Sequence, residues 1–350
     1  MDTNPFTGSS HNTEPNELLW RHVAMPVKIK PHRSDTPRPS KITDIKEIVA
    51  ETADFMRLHL AVRPFQIFSY ALMLFETNCC ITQWDHGGLL ISKEYDLLTT
   101  HGLETFIRII VRITCFMNYV EMGQDPTVKT LDLDYPSVKT YPKFQVSVPG
   151  GDGKTLCQTD GPPIFTSASI LGRATSVWRV VLHPLGVSEP TKYIMKTAWR
   201  IDERRSESEI YSIVQSSDST LKGVAIFLQG GDVEFGKEMD NAVKLSRLRI
   251  HMGSSSRPKQ DQVMHRLLLK SYGKGISDFD SPAEFIGAMH DAIRGRCYFE
   301  VTCKLIPIDY KVIKISGRRS KYFLATLAQA MFSSRSIPLR ILADSFQIST

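Results

Sequence analysis

Apolar residues recur at near-helical spacing between Ile42 and Leu60, through Ile45, Ile48, Val49, Phe55 and Met56, and this predicts a helix. The stretch "RPFQIFSYALMLFETNCCITQWDHGGLLISKEYDLL" then reads as strands folded about the turn Asp85-His86-Gly87-Gly88, where glycine supplies the positive φ of a tight connection. A second apolar helix is expected near Leu103–Tyr119, so residues 41–134 form an α+β module. Residues 1–40 are polar, punctuated by proline and without periodicity, and are expected to be a disordered basic tail. "YPSVKTYPKFQVSVPGGDGKTLCQTDGPP" (135–163) is dense in Pro and Gly and marks a linker.

Beyond the linker, "ILGRATSVWRVV" (170–181) reads as a glycine-bearing turn between strands, and "KYIMKTAWR" as a further strand. "RRSESEIYSIVQ" supplies a helix with Ile210, Ile213 and Val214 as its buried stripe. "RLLLKS" reads as a buried strand and "YGKG" as a flexible connector. "SPAEF" starts another helix, with Ser281 as N-cap, Pro282 first and Glu284 completing a capping box. Phe285, Ile286, Met289 and Ile293 are expected on its inner side.

Composition narrows the class. With 42% hydrophobic and 23% charged residues in a 350-residue chain, a globular protein with a core is expected. Glu76, Arg108 and Arg112 break the two most apolar stretches, so no membrane span is expected. The first residues lack the basic start and apolar run of a secretory signal. Six cysteines form no CxxC pair, which argues against zinc and for reduced thiols in a cytoplasmic or nuclear protein. Net charge is +6. Arg21, Lys28, Lys30, Arg33, Arg38 and Lys41 stand against Asp35 in residues 21–41, a segment that could touch nucleic acid. No aromatic stacking platform accompanies it, so nucleic acid is the weaker reading.

A loop that covers phosphates needs bare backbone N–H groups close to the oxygens. Gly172 opens the turn, Ala174 stands at the second glycine position, and Val177 at the third departs from G-x-G-x-x-G. "GGDGKT" fails as a P-loop, because Val148 stands where a glycine is required. Lys196 closes the apolar run "YIMK" and could reach phosphates if a helix carboxylate held it. Glu207 lies near the buried stripe of the next helix, at i−3 from Ile210 and i−7 from Val214. Glu209 falls about 160° away around that helix. Each residue alone has an ordinary structural explanation; the order glycine turn, strand, lysine, inward glutamate does not.

"ILGRATSVWRV", "YIMKTAWR", "SESEI", "HRLLLKSYGKGI" and "AMHDAIRG" together resemble the fungal-type protein kinase family. "RPFQIFSYALML", "WDHGGLLIS" and "MGQDPTV" resemble that family's leading region, and the likeness runs from about residue 45 to about residue 295. It implies an α+β fold: a kinase-like N-lobe of antiparallel sheet plus one helix, with its hinge and first C-lobe helices, over 164–295. It also implies ATP and Mg²⁺ as cofactors and Ser/Thr phosphotransfer to an unidentified protein substrate. By the same likeness Gly172 and Ala174 would cover the phosphates, Lys196 would hold the α and β groups, and Glu207 would anchor the lysine. Tyr272 and Gly273 would sit at the adenine hinge.

The pattern breaks downstream. The last histidine is His290 and the last asparagine Asn241, so no His-Arg-Asp…Asn catalytic loop follows the "DAIRG" helix. Asp309 and Asp344 sit in no recognisable metal-binding context, and "DFD" (278–280) precedes the helix. Residues 296–350 do not read as the rest of a C-lobe. The chain reads as a clipped copy, or as a gene model that runs through an intron or a shifted frame. Three functions remain: a kinase by family whose own transfer is impaired, a degenerate nucleotide-binding or scaffolding module, and a nucleic-acid binder through residues 21–41.

Overall fold

The computed structural model describes residues 23–38, 46–131, 141–151, 153–182, 191–217, 224–235, 243–250, 261–270 and 279–301. The chain divides into two compact units, Met1–Ser206 with Leu228–Lys270, and Glu207–Phe227 with Ser271–Thr350. The architecture is mixed α+β.

Within the first unit, the smaller sheet contains β1 (Val27–Lys30), β2 (Phe68–Phe75), β3 (Asn78–Asp85), β4 (Gly88–Ile91) and β5 (Tyr95–Asp96). Its order is β1-β2-β3-β4, with β5 also on β3. Helix α1 (Glu47–Val62) buries Ile48, Thr52, Met56 and His59, one turn apart along a single face. That face meets Ala71, Met73 and Phe75, alternate residues of β2, in one core cluster with Cys80 and Trp84. The hairpin between β3 and β4 turns at His86-Gly87 as expected, with Gly88 at φ +139°. Helix α2 (Thr100–Val111) starts on Thr99, whose side chain accepts from the Gly102 N–H, and ends in a wide turn over Arg112–Phe116.

Of the expected tail, residues 1–22 and 39–40 lie outside the described residues, and 23–38 include a strand. Val27–Lys30 forms β1, which runs parallel to β2 with Val27 opposite Leu72. Lys28 meets Glu51 of α1 at 2.6 Å, and Lys30 meets Glu47 and Glu51 at 3.1 and 3.0 Å. Two cations counted toward a nucleic-acid patch are therefore already matched by carboxylates.

The larger sheet is ordered β12-β13-β11-β10-β8-β7-β6, with β9 also on β10. Its strands are β6 (Val128–Thr130), β7 (Phe144–Gly150), β8 (Gly153–Thr159), β9 (Phe165–Thr166), β10 (Ser176–Leu182), β11 (Thr191–Ile201), β12 (Phe227–Asp232) and β13 (Gln262–Leu269). The 135–163 linker is thus corrected. It holds β7 and β8, a hairpin whose last pair is Gly150 opposite Gly153, so Lys154 and Thr155 of "GGDGKT" are strand residues. Phe144, Val146 and Val148 alternate inward and build a core with Cys157, Trp178, Val180, Met195 and Leu268. Because β6 belongs to the same sheet, the leading module and the later strands share one folded unit. Helix α4 (Leu245–Ile250) lies between β12 and β13 in sequence.

The second unit contains α3 (Glu207–Ser217), where Tyr211 stacks on Phe227 at 5.5 Å and the Gln215 side-chain amide donates to the Phe227 carbonyl. It also contains α5 (Pro282–Val301). Ser281 caps α5 as expected, its Oγ accepting from the Glu284 N–H, while the Glu284 carboxylate reaches back one residue further, to the Asp280 N–H. The expected inner face of α5 is only half right. Phe285 and Met289 are half-buried, but Ile286 and Ile293 are 65% and 52% exposed.

Candidate functional site

The loop 167–175 joins β9 to β10, closed by Ser176 opposite Thr166 and Val177 opposite Phe165. Two of its residues lie in the left-handed region, Gly172 at φ +98° and Ala174 at φ +39°. A Cβ on Gly172 would meet nothing within 4 Å, so the backbone angle and not crowding calls for glycine there. Ala174 lacks that freedom and is held by its surroundings, packing against the cluster of Ile67, Phe68, Trp199 and Leu245. Val177, which breaks the glycine pattern, is already a strand residue paired with Lys196. A β-branched side chain suits that position, and no positive φ is needed.

The loop is tied on three sides. Gly172 N–H donates to the His86 carbonyl at 2.9 Å, His86 Nδ1 donates to the Ile170 carbonyl at 2.9 Å, and Trp199 N–H donates to the Arg173 carbonyl at 2.7 Å. Burial pushes the His86 pKa down, against the opposing pull of the Ile170 bond and of Asp85. His86 carries no chemistry in the sequence reading. The signal was its place inside the Asp85–Gly88 turn; its partners lie 84 and more residues away.

Lys196 stands mid-strand on β11, with Val177 of β10 and Leu267 of β13 on either side. Strand alternation puts Val177, Ile194, Lys196 and Leu267 on one face. Ser176, Trp178, Thr197, Trp199 and Arg266 occupy the other face, where they floor a cavity of about 70 Å³ walled by the end of α1 and by the 163–174 loop. The cavity and Lys196 are therefore on opposite faces of the sheet. Glu207 opens α3 in the second unit and is buried, whereas Glu209 is exposed, the division expected from the helical stripe. Tyr272 and Gly273 fall outside the described residues.

Within the first unit, Arg200 holds the turn that follows β11. Arg200 Nη1 donates to the carbonyls of Ile201, Asp202 and Arg204, while its other nitrogens grip Asp232. His265 Nδ1 meets the same carboxylate at 2.7 Å. Burial alone would raise the Asp232 carboxyl, but His265 and the Arg200 guanidinium bring it down to about 2.

Two of the three family-like segments of the leading region supply buried carboxylates to distant arginines. Asp85, fully buried, takes Arg249 Nε and Nη2 at 2.8 and 2.6 Å. Asp125 takes Arg266 Nη2 at 2.7 Å, with both side chains at most 1% exposed. The buried thiols are inert: burial pushes Cys79 and Cys157 up to about 11 and Cys80 to about 12. Among the described residues no three His, Cys, Asp or Glu side chains stand together to hold a metal ion. Nor is any described helix long and apolar enough to cross a membrane.

Strand, glycine loop, lysine strand, helix with an opening glutamate, then two further strands define a protein-kinase type of chain order. The description "Fungal protein kinase" fits it over residues 5–306, and the chain belongs to that family. No curated protein matches the chain. No solved structure matches it.

Proposed function

We propose that this chain binds ATP through a kinase-type N-lobe and transfers its γ-phosphate poorly or not at all. The observation that carries this reading is Lys196, central on β11 and directly across from Val177, where the glycine loop ends in the sheet order β12-β13-β11-β10. Gly172 and Ala174 would cover the phosphates, and Lys196 would hold the α and β groups. The open side of Gly172 favours close approach of a phosphate. ATP supplies the transferable phosphoryl group when bound.

Magnesium is a different matter. The described residues offer no donor set for it, so no step is assigned to the ion. The residues after Pro282 contain no asparagine, and none after 290 is a histidine, so no His-Arg-Asp…Asn pattern to orient the acceptor hydroxyl and hold metal stands among them. Positioning and electrostatic terms dominate phosphoryl transfer, so their loss cuts rate far more than nucleotide affinity.

A thermal-shift titration with ATP tests the binding half. Ligand at a hundredfold excess over Kd stabilises by about 2.7 kcal/mol, and Lys196→Met should abolish that response. A flat response in the unaltered protein refutes the reading. Transfer of γ-phosphate to a generic Ser/Thr substrate, lost in Lys196→Met, would refute the impairment.

A further inference from the structure

The Asp85–Gly88 turn reaches from the smaller sheet to the glycine loop, and we propose that His86 is a positioning residue for that loop. It holds Ile170–Ala174 in the conformation that a nucleotide phosphate meets. The nucleotide half of this inference rests on the function proposed above; the holding of the loop does not.

The contact has two points. A carbonyl can only accept, so His86 Nδ1 carries the proton it gives to Ile170, while the His86 carbonyl takes the Gly172 N–H. These bonds bracket Leu171 and fix both sides of it. The loop needs such a bracket, because Gly172 and Ala174 both sit at positive φ, a region that alanine adopts only when its surroundings hold it there. The Trp199 N–H bond to Arg173 fixes the residue between them, and the His86 ring lies 5.9 Å from the Trp199 ring.

A holder must itself be held. Asp85 accepts from the Gly87 N–H at 2.8 Å as well as from Arg249, which locks the turn from beneath. A Cβ on Gly87 would lie 2.5 Å from Leu245 Cδ1, so any side chain there would force the buried Leu245 to move. So the leading region presents His86 on a fixed turn, and the glycine loop is ordered before any ligand arrives. Preorganisation of this kind lowers the entropy lost on binding.

Three substitutions test it. His86→Ala removes the donor; His86→Phe removes it while filling the space, in case the alanine variant folds poorly. His86→Asn places an amide N–H near the position of Nδ1 and should rescue. Hydrogen exchange at the Gly172 amide should rise about tenfold or more in the Ala and Phe variants and return toward the original rate in Asn. ATP affinity should fall about tenfold in the first two and recover in the third. Wild-type exchange at Gly172 in His86→Phe would overturn the inference, and so would loosened exchange with unchanged ATP affinity. If the unaltered chain binds no ATP, the proposed function falls, and Gly172 exchange alone still decides whether His86 holds the loop.

Discussion

Replacing Asp125 with alanine should be among the most damaging single changes to this protein. Arg266 is fully buried, and its guanidinium gives Nη2 to Asp125 at 2.7 Å, Nη1 to the Ser147 carbonyl at 2.6 Å and to Thr127 Oγ1 at 3.0 Å, and Nε to Thr197 Oγ1 at 3.2 Å. Without the carboxylate, the cation keeps neutral acceptors but no counter-charge. Removing one partner of a buried pair costs about 3–5 kcal/mol. The surviving neutral acceptors argue for the lower half of that range. Asp125 Oδ1 also accepts from Thr127 N and Oγ1, and losing those bonds adds about 1 kcal/mol. The expected cost is about 4 kcal/mol, a large share of the roughly 5–15 kcal/mol that holds a domain together. Arg266→Met removes the cation and the carboxylate's need for it, so the double variant should cost at least about 2 kcal/mol less than the sum of the singles. Urea unfolding followed by circular dichroism measures all three. A cost for Asp125→Ala below about 1 kcal/mol, or strict additivity in the double variant, would refute the reasoning.

Gly123→Ala should be similarly harmful, because Gly123 sits at φ +100° and a Cβ would lie 2.0 Å from the Phe68 carbonyl oxygen. Gly151→Ala, with nothing within 4 Å of the added carbon, should shift stability by less than about 0.5 kcal/mol, and melting temperatures separate the two. His59 bonds to the Val23 carbonyl and to Ser69 Oγ, and burial, helped by Arg63, lowers its pKa to about 4 despite the Val23 bond. Because the folded pKa is depressed, the chain keeps its full stability above the unfolded value of about 6.5 and loses up to about 3 kcal/mol as pH falls toward 4. Urea midpoints at pH 7 and pH 4.5 should show that loss in the unaltered protein and a shallower one in His59→Gln; equal slopes would refute the assignment.

The local grammar of the chain was legible. The Asp85–Gly88 turn, the Ser281 cap, the strand carrying Lys196 and the inward side of Glu207 all follow from spacing that acts within a few residues. The 135–163 segment misled because Pro149 and the glycines outweighed the alternation of Phe144, Val146 and Val148, which was the correct signal. β1 was missed for another reason: Val27 and Ile29 are 47% and 67% exposed, so four residues offered no buried face to detect. The pairs Asp85–Arg249 and Asp125–Arg266 join positions more than 140 residues apart, a separation that no pattern within one sequence encodes. The motifs around both aspartates could be noticed as family-like, but their role as anchors for arginines on α4 and β13 required the fold.

The short outermost strand β6 has a consequence for how such proteins can change over time. It shields the hydrogen-bonding rim of β7, and it emerges three residues after the aspartate that neutralises Arg266. A recombination breakpoint between the leading region and the lysine-bearing strands would bare that rim to pairing with other molecules and strand a cation at the same stroke. The two halves are therefore expected to be inherited as a single piece.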